Sequence, residues 1–210
     1  MKYEEWEPYY KAILDDFGWT PEGDEEAARI LSGMLPDPSE VLMRIRVLVR
    51  GRSVLVCGKA PRLDRELEGL DRSKYTIIAA DGSTSTLLKH NIVPDIIVSD
   101  LDGNHDDLLE ANRKGSIIVA HAHADNIDKV RSMVPLLRDV IGTTQARPLD
   151  NVFNFGGFSD GDRCVFMAKE FGAANIRIIG FDLDDTNVTP KKLKKLKWAR
   201  KLLAEIGFQL

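Results

Sequence analysis

Two hydrophobic periods divide the chain. Up to about residue 50, apolar positions recur every three or four residues. Trp6, Tyr9, Tyr10, Ile13, Leu14 and Phe17 mark one amphipathic helix, and Ala27, Ala28, Ile30, Leu31 and Met34 a second. A third is announced by its ends: Asp37 as N-cap, Pro38 at the first helical position, Glu40 closing a capping box and Gly51 as the stop. From Ser53 the pattern shortens to apolar runs: VLVC (54–57), TIIAA (76–80), DIIVSD (95–100), SIIVAH (116–121), DVIGTT (139–144), VFNF (152–155) and IRIIGF (176–181). Helical patterns such as STLLKH, DDLLEANRK, NIDKVRSMVPLL and DRCVFMAKEFG lie between most of them. Runs this short and continuous read as strands buried on both faces, and their alternation with helices predicts βαβ units with right-handed crossovers. The expected architecture is a Rossmann-like, three-layer α/β/α domain with a mostly parallel sheet over residues 51–210. A helical N-terminal extension over residues 1–50 precedes it. Thr189–Pro190 opens a last, basic amphipathic helix whose lysines read first as a solvated face, with a phosphate- or membrane-facing role as the lesser reading.

Polar residues gather where the strands stop. Asp100 and Asp102 end the run PDIIVSDLDG, and strand alternation places both carboxylates on one side with Leu101 opposite. Like charges that close are unfavourable without a cation or a shared proton, and Mg²⁺, which takes one or two carboxylates plus substrate phosphates, is the simplest relief. In open α/β sheets this edge is also where ligands bind. The other strand ends deliver Gly58, Lys59 and Arg62; Asp81, Ser83 and Thr84; His121, His123 and Asp125; Gln145; and Asn154, Phe155, Gly156, Gly157 and Asp160.

Each of these has a plainer role to weigh. Asp81 and Asp125 are also good helix caps, Gly156–Gly157 a tight turn, and Lys59 and Arg62 surface charges. A phosphate-binding part is open to Gly58, Lys59, Arg62, Ser83, Thr84, Gly156 and Gly157, since glycines before a helix let backbone N–H groups approach an anion. His121 and His123 have a metal-like HxH spacing. A TIM barrel of the zinc-hydrolase kind needs roughly 250 residues, so both are expected to line the pocket and meet phosphate or substrate. Neither a Walker A pattern nor a spaced GxGxxG is present.

Composition narrows the class. The 210 residues are 43% hydrophobic and 30% charged, which describes a globular chain, and a net charge of −4 leaves no footprint for nucleic acid. Cys57 and Cys164 sit in apolar contexts as small core residues of a reducing compartment. No stretch approaches membrane-spanning length and MKYEEWEPYY lacks a signal-peptide core, so a cytoplasmic location is expected. The aromatic stripes of the first helices suggest core packing or a homodimer.

Taken together, ADGS, PDIIVSDLDG, HAHADN, GTTQ, NFGGFSDGDR and IIGFDL resemble the archaeal 6-hydroxymethyl-7,8-dihydropterin diphosphokinases, whose sheet is related to thiamine pyrophosphokinase. The resemblance spans about residues 50–185 and implies a thiamine pyrophosphokinase-like catalytic domain. It further implies Mg²⁺-dependent transfer of diphosphate from ATP to a reduced pterin, for methanopterin- or folate-type coenzyme synthesis. Asp81, Asp100 and Asp102 would then serve the metal–phosphate centre, with Asp125 as a further acidic position and candidate base. Gln145, Asn154, Phe155 and Asp160 would meet the pterin. A basic helix stands where thiamine pyrophosphokinases carry a C-terminal β domain, which argues against thiamine. A thiamine pyrophosphokinase or nucleotide-sugar glycosyltransferase on the same sheet, and a non-catalytic nucleotide-sensing module, remain the alternatives.

Overall fold

The computed structural model describes residues 1–208. Helices α1 (Tyr3–Phe17), α2 (Glu22–Ser32) and α3 (Ser39–Val49) precede strand β1 (Ser53–Cys57). There follow α4 (Leu63–Leu67), β2 (Thr76–Ala80), α5 (Thr84–Lys89), β3 (Ile96–Ser99), α6 (His105–Arg113), β4 (Ile117–Ala122), α7 (Ile127–Met133), β5 (Val140–Thr144), β6 (Val152–Phe153), α8 (Asp160–Glu170), β7 (Asn175–Ile179) and α9 (Pro190–Glu205). Each apolar run of the sequence thus becomes a strand. The short α4 has too few residues to show a helical period. At α3 the start moves by one residue, because Asp37 accepts the N–H and hydroxyl of Ser39 (2.9 and 2.6 Å) and Pro38 takes the cap position.

All strand pairs are parallel, in the order β6-β5-β4-β3-β2-β1-β7. Alternation sorts the strand side chains into two cores. Leu55, Cys57, Ile77, Ala79, Ile97 and Ile118 face α2, α4, α5, α6 and α7. Val54, Val56, Ile78, Ile96, Val98 and Val119 face α3, α8 and α9. Sheet faces covered on both sides explain why the central runs are nearly continuously apolar, whereas the edge strand β7 keeps Asn175 and Arg177 exposed. The N-terminal helices share both layers: Ala27, Ala28 and Leu31 of α2 belong to the first core, Val41, Ile45 and Val49 of α3 to the second. The aromatic stripe of α1 closes a third cluster, with Trp6, Tyr10, Ile13 and Leu14 against Phe158, Phe166 and Leu202.

Strands β1 to β6 step in one direction across the sheet, and β7 returns beside β1. The chain leaves β1 toward α4 on one face and β7 toward α9 on the other. That reversal opens a crevice at the carboxyl ends of β1 and β7, the place where doubly wound sheets receive ligands. No described helix is long and apolar enough to cross a membrane.

Candidate active site

A cleft of about 650 Å³ runs along the carboxyl edge, from the β1–β7 crevice to the start of α2. Its floor is acidic. Asp81 follows β2 directly and is buried, and its Oδ2 accepts the Gly103 N–H at 2.8 Å. A Cβ on Gly103 would stand 2.6 Å from that oxygen, so only glycine allows the approach. β3 stops at Ser99, and Leu101 turns left-handed (φ +62°) with its side chain fully buried and its N–H held by Ser99 Oγ at 2.8 Å. A leucine there costs roughly 1–2 kcal/mol. The turn, rather than strand alternation, is what leaves Asp100 and Asp102 on the cleft. From the other side comes Asp160 at the first turn of α8. Carboxylate oxygens of Asp81, Asp100 and Asp160 all lie within 4.8 Å of one another. Asp102 neighbours Asp100 beside this trio.

These groups cannot ionise independently. Burial, then the charges of Asp100 and its neighbours, pushes Asp160 well above the usual carboxylate range against the pull of Arg163. Asp81 is raised by burial and by Asp100 and Asp102, partly offset by the Gly103 N–H. Within the Asp100–Asp102 pair, Asp102 is raised by burial and by Asp100. Burial also penalises the Asp100 charge, but the neighbouring His123 and Asp102 and the nearby Arg163 outweigh it and hold Asp100 low. His123 Nδ1 accepts the Asp125 N–H (3.2 Å), which leaves Nε2 as the protonated nitrogen, 3.8 Å from Asp100 Oδ2. Asp100 Oδ1 is buried and has no partner among the described residues. Asn126 stitches the two strand ends together, donating to Asp100 O and His121 O at 2.6 and 2.7 Å.

The roof is cationic and aromatic. The Lys59 stem lies across Gly82, where a Cβ would come within 2.3 Å of its Cδ. Arg163 of α8 is buried and donates to Asp160 and to Gln145, both at 3.3 Å. Lys192, Lys195 and Leu196 of α9 line the same space, with Trp19 and Phe158. Lys195 Nζ stands 5.7 Å from the Phe158 ring centroid, and Lys191 Nζ 5.2 Å from that of Trp19. Behind the roof a buried network begins at Asp24 of α2. Its Oδ2 accepts Tyr10 Oη (2.8 Å) and Gln145 Nε2 (2.7 Å), and its Oδ1 accepts the Ala124 N–H (3.0 Å). Through Gln145 and Arg163 this network reaches Asp160.

The strand-end residues therefore divide. Gly58, Lys59, Asp100, Asp102, His123, Asp125, Gln145 and Asp160 line the cleft, and Asp81 reaches its floor. Asp160, assigned by pattern to the pterin edge, sits in the carboxylate trio instead. Asp125 is largely exposed and pairs with Lys191 at 3.9 Å. Arg62 is not among the residues lining the cleft; it donates to Phe181 O, tying the β1 and β7 loops together. Ser83 turns inward to Cys57 O and Ala80 O, and Thr84 is buried. His121 is buried against Thr143 Oγ1 (3.2 Å) beside a separate cavity of about 10 Å³, and burial favours its neutral form. Gly156 borders that small cavity. Gly157 permits close packing on Arg163, since its Cβ would meet the Arg163 backbone at 2.8 Å. Asn154 braces Gln145 O and Ala146 O, and Phe155 stacks on Phe153 at 5.8 Å.

Asp24 and Lys195 escape a motif search, and Arg163, though it ends NFGGFSDGDR, gains no role from it; yet all three carry one signal. Each occupies the apolar stripe of its own helix: Asp24 with Ala27, Ala28 and Leu31; Arg163 with Phe166 and Met167; Lys195 with Ala199 and Leu202. A charge on a buried stripe needs a partner.

The family described as 6-hydroxymethylpterin diphosphokinase MptE-like matches residues 35–188. Three archaeal relatives carry the description 6-hydroxymethyl-7,8-dihydropterin pyrophosphokinase. The Pyrococcus furiosus protein is 43% identical over 219 residues, covering 97% of this chain and 93% of its own. The Methanocaldococcus jannaschii protein is 39% identical, covering 97% and 95%. That of Methanothermobacter thermautotrophicus is 42% identical, covering 88% and 80%.

Proposed function

The chain belongs to the 6-hydroxymethylpterin diphosphokinase MptE-like family of diphosphate-transferring enzymes, and from that premise we propose a complete reaction. The terminal diphosphate of ATP passes to the hydroxymethyl group of 6-hydroxymethyl-7,8-dihydropterin, giving the pterin diphosphate and AMP, in methanopterin- or folate-type coenzyme synthesis. The alcohol oxygen attacks the β-phosphorus. The bond from that phosphorus to the oxygen bridging the α-phosphate breaks, AMP leaves with the oxygen, and the hydroxyl proton passes to a cleft carboxylate.

The observation that carries this reading is the trio Asp81, Asp100 and Asp160, whose carboxylate oxygens lie within 4.8 Å of one another. An all-oxygen, carboxylate-rich donor set with a buried, unpartnered Asp100 Oδ1 fits a hard divalent ion such as Mg²⁺. Asp81, Asp100 and Asp160 would hold it, with Asp102 alongside, and when bound it would supply charge neutralisation for the phosphates. The chain's own work is positioning and charge balance, as phosphoryl transfer requires. His123 keeps Asp100 ionised, and Gly103 orients Asp81. Lys59 crosses toward the phosphates from the β1 side, and the first turn of α8 points its positive end at the same space. Trp19 and Phe158 offer flat apolar walls for the pterin.

The test is product analysis with ATP, Mg²⁺ and a panel of hydroxymethyl-dihydropterin, thiamine and nucleotide sugars. AMP and pterin diphosphate should form only with the pterin, stop on chelation and return with Mg²⁺. AMP release with thiamine alone, or turnover indifferent to chelation, would overturn the assignment.

A further inference from the structure

The lysines of α9 read from sequence as a solvated face, and for Lys191, Lys192 and Lys197 exposure agrees. Lys195 does not follow them. It lies at the same helical position as buried Ala199 and Leu202 and opens into the cleft beside Phe158 and Arg163. Arg163 is itself buried, and its Nε has no partner among the described residues. Two cations thus face one space from α8 and α9. Loss of water and then the repulsion of Arg163 work against the charge on Lys195, while Asp100 and Asp160 favour it. Structural pairing leaves this arrangement only half explained, because Asp160 and Gln145 engage Arg163 at long distances and no salt bridge joins Lys195 to either carboxylate among the described residues. An anion between the two cations would satisfy both. The carboxylate floor cannot be that anion once it holds a divalent ion, whereas a phosphate chain lying on that ion would be.

We propose that Lys195, backed by Arg163, is a phosphate-clamping residue for the transferred diphosphate, and that the basic helix α9 exists to bring it over the acidic floor. The inference rests on the diphosphokinase reading and adds a residue that lies beyond the family-matched segment 35–188. A clamp of this kind strengthens as charge develops on the bridging and terminal oxygens, so it contributes to turnover more than to acceptor binding. Lysine suits the place because its compact ammonium, which stands over the Phe158 ring, can approach the phosphate as a point charge.

The experiment uses the full chain and inorganic tripolyphosphate as the probe, so the outcome does not depend on the acceptor. Lys195→Met keeps the stem and removes the charge. It should bind tripolyphosphate with Mg²⁺ about tenfold more weakly and lose about 10²-fold in kcat, with KM for the pterin unchanged. Lys195→Arg should recover most of the affinity. Lys201→Met removes a charge from the same helix where the ammonium covers Trp198, at 4.6 Å from its ring, and should bind as the wild type does. Equal tripolyphosphate affinity in wild type and Lys195→Met would overturn the clamp. So would an equal loss in Lys201→Met, which would reduce the effect to overall helix charge. If Lys195→Met fails to fold, Lys195→Gln carries the same comparison. A wild-type protein that makes no pterin diphosphate would sink the functional reading and leave the tripolyphosphate comparison standing.

Discussion

The floor and the roof of the cleft are built by different means. The floor is made by loops that leave the ends of β2 and β3, plus the first turn of α8. The roof is made largely by side chains on the faces of α2, α8 and α9. On the floor the chemistry is concentrated in short strings such as ADGS and SDLDG, where glycines, turns and carboxylates sit side by side. On the roof each functional group is one charge within an otherwise ordinary amphipathic helix. A loop at a strand end has no packing duty to disguise it, whereas a helix residue is first read as part of a face. Motif and charge therefore announce the floor, and only burial announces the roof.

The sharpest way to break this contrast is to neutralise the floor one carboxylate at a time. Asp100→Asn and Asp160→Asn should each lower kcat by about 10³-fold, because each would remove one oxygen ligand of the proposed shared cation and leave the geometry in place. Asp125→Asn should cost less than threefold. The contrast matters because sequence gives Asp125 a catalytic part and Asp160 a part at the pterin. AMP release under saturating ATP and pterin measures all three. A large loss in Asp125→Asn with a small one in Asp160→Asn would reverse the division of the site described above.

Next comes the anchor of the roof. In Asp24→Asn an amide NH₂ replaces one acceptor oxygen, so in either orientation a donor faces the donors of Tyr10 and Gln145 or that of Ala124. Loss of a buried charged hydrogen-bond network member should cost about 1–3 kcal/mol of stability. It should also loosen Gln145 and Arg163 enough to lower kcat about tenfold. Tyr10→Phe removes a single donor and should cost about 1 kcal/mol with turnover nearly intact. Denaturant melts and kinetics on the two variants separate fold from positioning. Equal activity losses would show that Asp24 acts only through α1.

The legibility of this chain follows the same line. The parallel sheet could be read because strands covered on both faces leave long apolar runs, and those of β2 and β3 match the structure to within a residue. Helix α4 could not be read, since five residues carry less than two turns of period. The Asp100–Asp102 pair was readable, but the reason given for it, strand alternation, does not survive the left-handed turn at Leu101. Asp160 was readable as a polar residue before a helix. Its place in the trio depends on β7 returning beside β1 and drawing α8 back across the sheet, a long-range fact that no local window contains. His121 and His123 share a strand-end pattern and part company for a similar reason: Thr143 of the neighbouring strand covers the first.

A smaller effect tests whether the floor's acidity is a cost to the fold. In the metal-free protein the Asp160 carboxyl titrates well above its unfolded value. Stability linked to that group is therefore greatest at low pH and declines as pH rises through the unfolded carboxylate range toward the folded value. Asp160→Asn removes the titration. Wild type and variant should melt together near pH 3.5, and the variant should melt about 2–6 °C higher at pH 7. Mg²⁺ should close the gap by stabilising the wild type alone. Thermal melts across pH, with and without chelator, read both. A gap that is constant with pH, or a less stable variant at pH 7, would mean that Arg163 already balances Asp160 completely.

The smallest predicted effect concerns a residue that only the strand-end pattern favours. Thr84 follows ADGS at the start of α5, where a hydroxyl near a helix N-terminus suggests a phosphate contact. In the structure it is buried, and its Oγ1 is without a partner among the described residues. A buried hydroxyl that bonds to nothing carries its desolvation cost without return. Thr84→Val keeps the shape and removes that cost. The variant should hold KM for ATP and kcat within twofold of wild type and melt at the same temperature or slightly higher. A clear rise in KM for ATP would place the hydroxyl at the nucleotide after all, and would mean that the cleft closes on its substrate by drawing α5 toward the floor. No change would confine the phosphate contacts to Lys59, the floor and the roof, and would show that nearness to a strand end selects candidates while burial decides among them.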